Sequence, residues 1–119
     1  LVNRTAADCG VPLVSAALGR WEGQLGVFHP AEGAPCYECV FPERPEEGLV
    51  PPCAEAGVLG ALAGVMGSMQ AVEAVKWITG AGECLVGRMM VYDALSAEMR
   101  TITLSRREDC PVCQELAAA

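Results

Sequence analysis

Two cysteine pairs, Cys36-Tyr37-Glu38-Cys39 and Cys110-Pro111-Val112-Cys113, constrain the fold of this chain more than any other feature. The C-x2-C spacing lets both thiolates of a pair reach one tetrahedral ion, and four soft sulfur ligands favour zinc. Residues 40–109, 70 in all, separate the pairs. Only a folded scaffold brings them together, and an ion held there would clip a long loop to the carboxyl-terminal tail. A shell of four thiolates leaves no open position for an activated water, so the expected role of Zn2+ is structural. The alternatives are unrelated buried thiols or thiol–disulfide redox chemistry. The redox reading needs one C-x-x-C beside a thioredoxin-like strand and helix, whereas both pairs fall in loop contexts.

The segment between the pairs divides by its prolines. Pro30, Pro35, Pro42, Pro45, Pro51 and Pro52 exclude any long helix or central strand from 30–56, which reads as a long loop. Ahead of it, residues 1–9 read as the last turns of a helix, with Val2, Ala6 and Cys9 at helical spacing and Gly10 and Pro12 ending it. Pro12 to Leu18 and Glu22 to His29 read as a hairpin turning at Gly19, Arg20 and Trp21. Gly57 to Thr79 reads as the longest element. It carries two apolar stripes, one of Leu59, Leu62, Met66 and Met69 and one of Val58, Val65, Val72 and Val75, and only Gln70, Glu73 and Lys76 give it a solvated edge. A helix apolar on nearly all sides is a buried one. Gly80 supplies its stop. A second hairpin, Val86 to Tyr92 and Glu98 to Leu104, turns at 93–96. The expected architecture is one α/β domain over 1–119, the long helix lying against a sheet made by both hairpins.

Composition narrows the partners. Fifteen acidic against 8 basic residues give a net charge of -7, which repels phosphate backbones and anionic membranes, so neither nucleic acid nor a membrane surface is expected. The 17 uncharged residues from Ala56 to Val72 approach the roughly 20 of a bilayer span, but Gly57, Gly60, Gly64, Gly67 and Gln70 interrupt the run. No signal-peptide pattern opens the chain, which starts as if in mid-element, and the cysteine spacing is of metal type, so the cytoplasm is the expected compartment. With 52% hydrophobic residues, some apolar surface is expected to meet a partner or a second copy.

Other residues are weighed one at a time. Cys53 stands alone after Pro51-Pro52, where the long helix should start; a helix amino terminus favours thiolate, so it is either a nucleophile or sulfur acceptor, or an inert loop thiol. Cys9 and Cys84 read as small buried hydrophobes. His29, the sole histidine, reads as a surface or capping residue, Asp8, Asp93 and Asp109 as turn or cap residues, and Trp21 and Trp77 as core. The glycines from 57 to 67 match neither the G-x-x-x-x-G-K-[ST] loop nor G-x-G-x-x-G, so the chain shows no nucleotide fingerprint.

Taken in order, Leu1-Val2-Asn3, Pro12-Leu13-Val14, Glu22-Gly23-Gln24, Cys36-Tyr37-Glu38-Cys39, Glu55-Ala56-Gly57-Val58-Leu59-Gly60 and Cys110-Pro111-Val112-Cys113 resemble the ThiF/MoeB/HesA family across essentially the whole chain. The resemblance implies the carboxyl-terminal half of a Rossmann-like fold, a mixed sheet with a long buried helix and a four-cysteine zinc site at Cys36, Cys39, Cys110 and Cys113. It implies ATP-dependent adenylation of the carboxyl terminus of a ubiquitin-like sulfur-carrier protein, serving molybdopterin or thiamine synthesis. A homo-oligomer is expected on separate grounds, because the two apolar stripes of Gly57 to Thr79 need two covers and one small sheet supplies one. The ATP- and Mg2+-binding residues of such proteins lie upstream of the region matched here. Cys53 occupies the position at which thiamine-branch members carry a sulfur-linking cysteine, and ubiquitin-activating relatives a thioester-forming one; Pro52 replaces the polar neighbour usual there. The rival reading is a zinc-stabilised protein-binding module without chemistry.

Overall fold

The computed structural model describes residues 1–42 and 59–118. Cys53 and the expected start of the long helix at Gly57 lie outside the described residues. Helix α1 spans Val2–Cys9 and stops at Gly10, whose left-handed backbone (φ 69°) lets its N–H close on Ala6 and Ala7 carbonyls. Strands β1 (Leu13–Leu18) and β2 (Glu22–Phe28) follow, then a short 3-10 turn at Pro30–Glu32 and a one-turn helix α2 at Tyr37–Val40. Helix α3 (Gly60–Thr79), strands β3 (Arg88–Asp93) and β4 (Glu98–Thr103), and helix α4 (Pro111–Ala118) complete the described elements. Both expected hairpins are present, with strand ends moved by one or two residues.

The four strands form one sheet in the order β1-β2-β3-β4, antiparallel throughout. Leu13 faces Phe28 across the first pair, Leu25 faces Met90 across the second, and Asp93 faces Glu98 across the third. One isolated parallel bridge, Val27 to Val86, brings the chain after α3 alongside β2. The register follows from alternation: Gly23, Leu25 and Val27 point to one face and Gln24, Gly26 and Phe28 to the other.

Helix α3 covers the first of these faces. Leu62 and Met66 pack with Leu25, Val27 and Leu85 in a buried cluster flanked by Val14, Ala16, Leu18 and Met69. Gly23 makes the close approach possible, because a Cβ there would stand 2.7 Å from the Met66 Cγ and Sδ. Gly80, at φ 73°, ends the helix with its N–H on the Lys76 carbonyl.

The helix departs from the expectation of burial on nearly all sides. Its second stripe, Val65, Val72 and Val75, is exposed, as is Ile78, because the sheet covers one face and no second layer lies over the other among the described residues. Glu73, expected on the solvated edge, is instead 5% exposed. Its Oε1 accepts the Leu85 backbone N–H at 2.7 Å, and Lys76 pairs with its other oxygen. That partner comes from a segment 12 residues downstream, which helix periodicity does not encode. Gln70 also reaches inward, donating to the Val14 carbonyl at 3.2 Å on the sheet edge.

Candidate metal centre

A second buried cluster lies apart from the helix–sheet core: Ala7, Cys36, Cys39, Cys110, Val112 and Cys113. The two knuckles are built alike. Cys36 precedes the first residue of α2 and Cys110 the first residue of α4, so Cys39 and Cys113 follow three residues on, along the same side of each first turn. The turns close through the Cys39 N–H on the Cys36 carbonyl at 3.1 Å and the Gln114 N–H on the Cys110 carbonyl at 3.0 Å.

The four sulfurs converge. Cys36 and Cys110 Sγ are 3.4 Å apart, Cys39 and Cys113 3.5 Å, and Cys36 and Cys39 3.8 Å. All four lie within 4.8 Å of one another and none exceeds 6% exposure. A tetrahedral ion with sulfurs at about 2.3 Å sets its ligands about 3.8 Å apart, so the donor set fits a metal ion of that size. No sulfur pair approaches the roughly 2.05 Å of a disulfide, and all four thiols are free.

Crowding disturbs the thiols in both directions. Burial, helped by the Cys110 thiol, pushes Cys36 up from its ordinary value. Burial and the neighbouring Cys39 and Cys36 thiols push Cys113 up strongly. At Cys39 burial also acts upward, but hydrogen bonds from the Arg107 and Cys36 backbone and from the Cys113 and Cys110 thiols outweigh it and leave the group lowered. Four thiols packed this closely cannot all ionise without a cation among them.

Three side chains, two of them on α1, hold the knuckles together. Arg106 donates to the carbonyls of Pro30 and Ala34 at 2.6 and 3.1 Å, tying the stretch before Cys110 to the stretch before Cys36. Arg4 on α1 pairs with Glu38 on α2 at 3.6 Å and with Glu115 on α4 at 3.2 Å. Asn3, also on α1, accepts the Tyr37 N–H on its Oδ1 at 3.0 Å. Tyr37 lies edge-on to Phe28 (5.6 Å, 80°) and tilted against Phe41 (4.9 Å). These rings, with Gln24 and Met89, line a small cleft on the sheet face opposite α3.

The structure thus gathers the four cysteines that spacing singled out, and corrects several neighbours. Helix α1 buries Asn3 and Ala7, rather than Val2, Ala6 and Cys9, because that is the side docked on the cysteine cluster. Cys9 is exposed and Cys84 half-buried, not core hydrophobes. His29, expected as a surface or capping residue, is 3% exposed and stands at the amino-terminal cap position of the 3-10 turn, without a side-chain cap hydrogen bond; its ring meets the edge of Trp77 at 5.8 Å. Trp21 and Trp77 are 41% and 40% exposed rather than core. Asp93 accepts the Leu95 N–H in the β3–β4 turn, as its residue type suggested. Asn3 enters the sequence reading only within the Leu1-Val2-Asn3 run of the family resemblance, with no role attached, and Arg106 not at all; their partners lie 34 and 72 to 76 residues away, beyond any local pattern.

An antiparallel sheet covered on one face by a long helix, with two cysteine knuckles gathered at one end, defines a class of α/β fold with a metal-type cysteine centre. The chain belongs to the ThiF family, whose model matches residues 1–112. It is 48% identical over 117 residues to the sulfur carrier protein adenylyltransferase of Thermus thermophilus, covering 95% of this chain and 43% of that protein. It is 45% identical to the SAMP-activating enzyme E1 of Haloferax volcanii (97% and 42% covered) and 47% to the Bos taurus adenylyltransferase and sulfurtransferase MOCS3 (97% and 25%). The chain therefore spans less than half the length of these relatives. Its fold matches Escherichia coli MccB, crystallised with MccA-N7isoASN, at a TM-score of 0.74 and 17% identity over 94% of this chain and 36% of that one.

Proposed function

We propose that this chain forms part of an enzyme that activates the carboxyl terminus of a ubiquitin-like sulfur-carrier protein by ATP-dependent adenylation, for sulfur transfer in molybdopterin or thiamine biosynthesis. The observation that carries the reading is the 48% identity, over nearly the whole chain, to a sulfur carrier protein adenylyltransferase. Within that enzyme this part supplies a structural Zn2+ site of Cys36, Cys39, Cys110 and Cys113, the loop that follows the first knuckle and a surface for the carrier. It carries no G-x-G-x-x-G or P-loop fingerprint for ATP and Mg2+. The convergence of four buried sulfurs at near-tetrahedral spacing supports zinc over redox pairs, because the shortest contacts run between knuckles and not within them.

The same reading assigns Cys53 as the thiol that links to the activated carrier terminus or carries sulfur toward it. It assigns the exposed Val65, Val72 and Val75 stripe to subunit or intramolecular contacts of a homo-oligomeric, cytoplasmic enzyme. Among the described residues no helix is long and apolar enough to cross a membrane.

Carrier-dependent exchange of labelled pyrophosphate into ATP tests the activity. The full-length enzyme should catalyse it with its cognate carrier, and residues 1–119 alone should not. Zinc without exchange in the full-length protein would leave the metal-stabilised binding module and discard the adenylation. For Cys53, a Cys53→Ala variant should keep pyrophosphate exchange and lose sulfur transfer; an unchanged transfer rate would remove Cys53 from the chemistry.

A further inference from the structure

Asn3 has one half of its side-chain amide explained and the other half not. Its Oδ1 accepts the Tyr37 N–H at 3.0 Å, at the residue directly after Cys36. Its Nδ2 is buried with no completed hydrogen bond, and the residue as a whole is 8% exposed. An unpaired buried amide keeps the whole cost of its lost hydration unless it finds an acceptor. Asn3 lies on the buried side of α1, and one turn further along that side Ala7 packs into the cysteine cluster itself, with Cys36 among its members. Among the described residues no hydrogen-bond partner satisfies Nδ2, and the cluster that this side of α1 meets is made mainly of cysteines.

We propose that Asn3 is a positioning residue of the metal centre, its Oδ1 fixing the first knuckle through the Tyr37 N–H and its Nδ2 donating to the Cys36 thiolate when the metal is bound. A thiolate is a far better acceptor than a thiol, and a divalent ion with four thiolates carries a net charge of −2 that an N–H donor offsets. The polar residue on the buried face of α1 is thereby accounted for, and α1 becomes a third support of the site beside the two knuckles. This assignment rests on the reading of the four cysteines as a metal site.

The test uses the full-length protein, purified with metal and compared with Asn3→Leu and Asn3→Asp. Asn3→Leu keeps the branched heavy-atom shape, with somewhat greater volume, and removes both hydrogen bonds. Asn3→Asp keeps an acceptor for Tyr37 and, at pH 8, places a negative charge where the donor stood. Zinc affinity, from competition with a chromogenic chelator, should fall by about 10–100-fold in both, as for loss of an outer-sphere partner. In the cobalt-substituted proteins the sulfur-to-cobalt charge-transfer band should move to lower energy, because a thiolate relieved of a hydrogen bond is the stronger donor. An unshifted band and unchanged affinity in Asn3→Asp overturn the proposal and leave Asn3 as a docking residue of α1, even if its melting temperature falls. Wild-type protein that binds neither zinc nor cobalt overturns the underlying metal reading instead.

Discussion

Glu73 is a carboxylate on an apolar helix, buried yet fully engaged: one oxygen takes the Leu85 N–H and the other meets Lys76. Replacing it by Leu suits the apolar surroundings but orphans a buried N–H, so Glu73→Leu should destabilise by about 1–3 kcal/mol. Glu73→Gln keeps the acceptor and should cost less; chemical denaturation of the two variants against wild type reads the difference, and equal costs would place the stabilisation in the Lys76 pair. The thiols give a second residue-scale expectation. In metal-free protein, Cys36 and Cys113 are raised above 9.0 and Cys39 is lowered. A raised folded value means stability that is present below the unfolded thiol value and lost as pH rises through the folded one. Cys39 acts in the opposite sense and offsets part of this. Metal-free protein should therefore melt at lower temperature as pH rises above 9, whereas the metal-loaded form should lose its advantage in acid, as protons displace the ion from thiolates. Melting curves of both forms across pH, with metal release followed in parallel, check the two signs.

Among the elements, the hairpins and α3 were legible because alternation and helical spacing are local signals that the sheet and its covering helix obey. The turn chemistry of Gly10, Gly80 and Asp93 was legible for the same reason. What escaped depends on pairing at a distance: the burial of Glu73 needs Leu85, that of His29 accompanies its contact with Trp77, and the docked side of α1 is set by cysteines from two other segments. Of the site, the four sulfurs were legible from spacing alone, whereas Arg106 was not, and Asn3 was visible only as part of the Leu1-Val2-Asn3 run, without its role. The α3–sheet contact can be tested directly at Gly23. A Cβ there would collide with the middle of the Met66 side chain at 2.7 Å, so Gly23→Ala should destabilise by about 1–3 kcal/mol as overpacking does. Met66→Ala should cost about 2–5 kcal/mol as a cavity. Combined, the two should cost less than their sum in denaturant melts, because the shorter side chain makes room for the methyl group.

At the scale of the whole molecule the decisive feature is that the described residues bury two separate apolar clusters. One is the helix–sheet core of Leu25, Val27, Leu62, Met66 and Leu85; the other is the cysteine cluster with Ala7 and Val112. The first is made of large side chains and depends on no metal. The second consists mainly of thiols, whose packing contributes little unless an ion joins them, and it unites α1, α2 and α4 across a sequence separation of 74 residues. Local stability then follows the local source of cohesion. Removing the metal from the full-length protein with a chelator should raise hydrogen exchange in α1, α2 and α4, at the amides of Thr5, Cys39 and Gln114 among others. The amides of β2, β3 and α3 should keep their protection. Uniform loss of protection across both clusters would show that the ion holds the entire fold, and no change in either would show that the hydrogen bonds of Arg106 and the ion pairs of Arg4 suffice to hold the knuckles. The intermediate outcome, in which one end opens while the sheet stays closed, is the one that two cores of such different composition require.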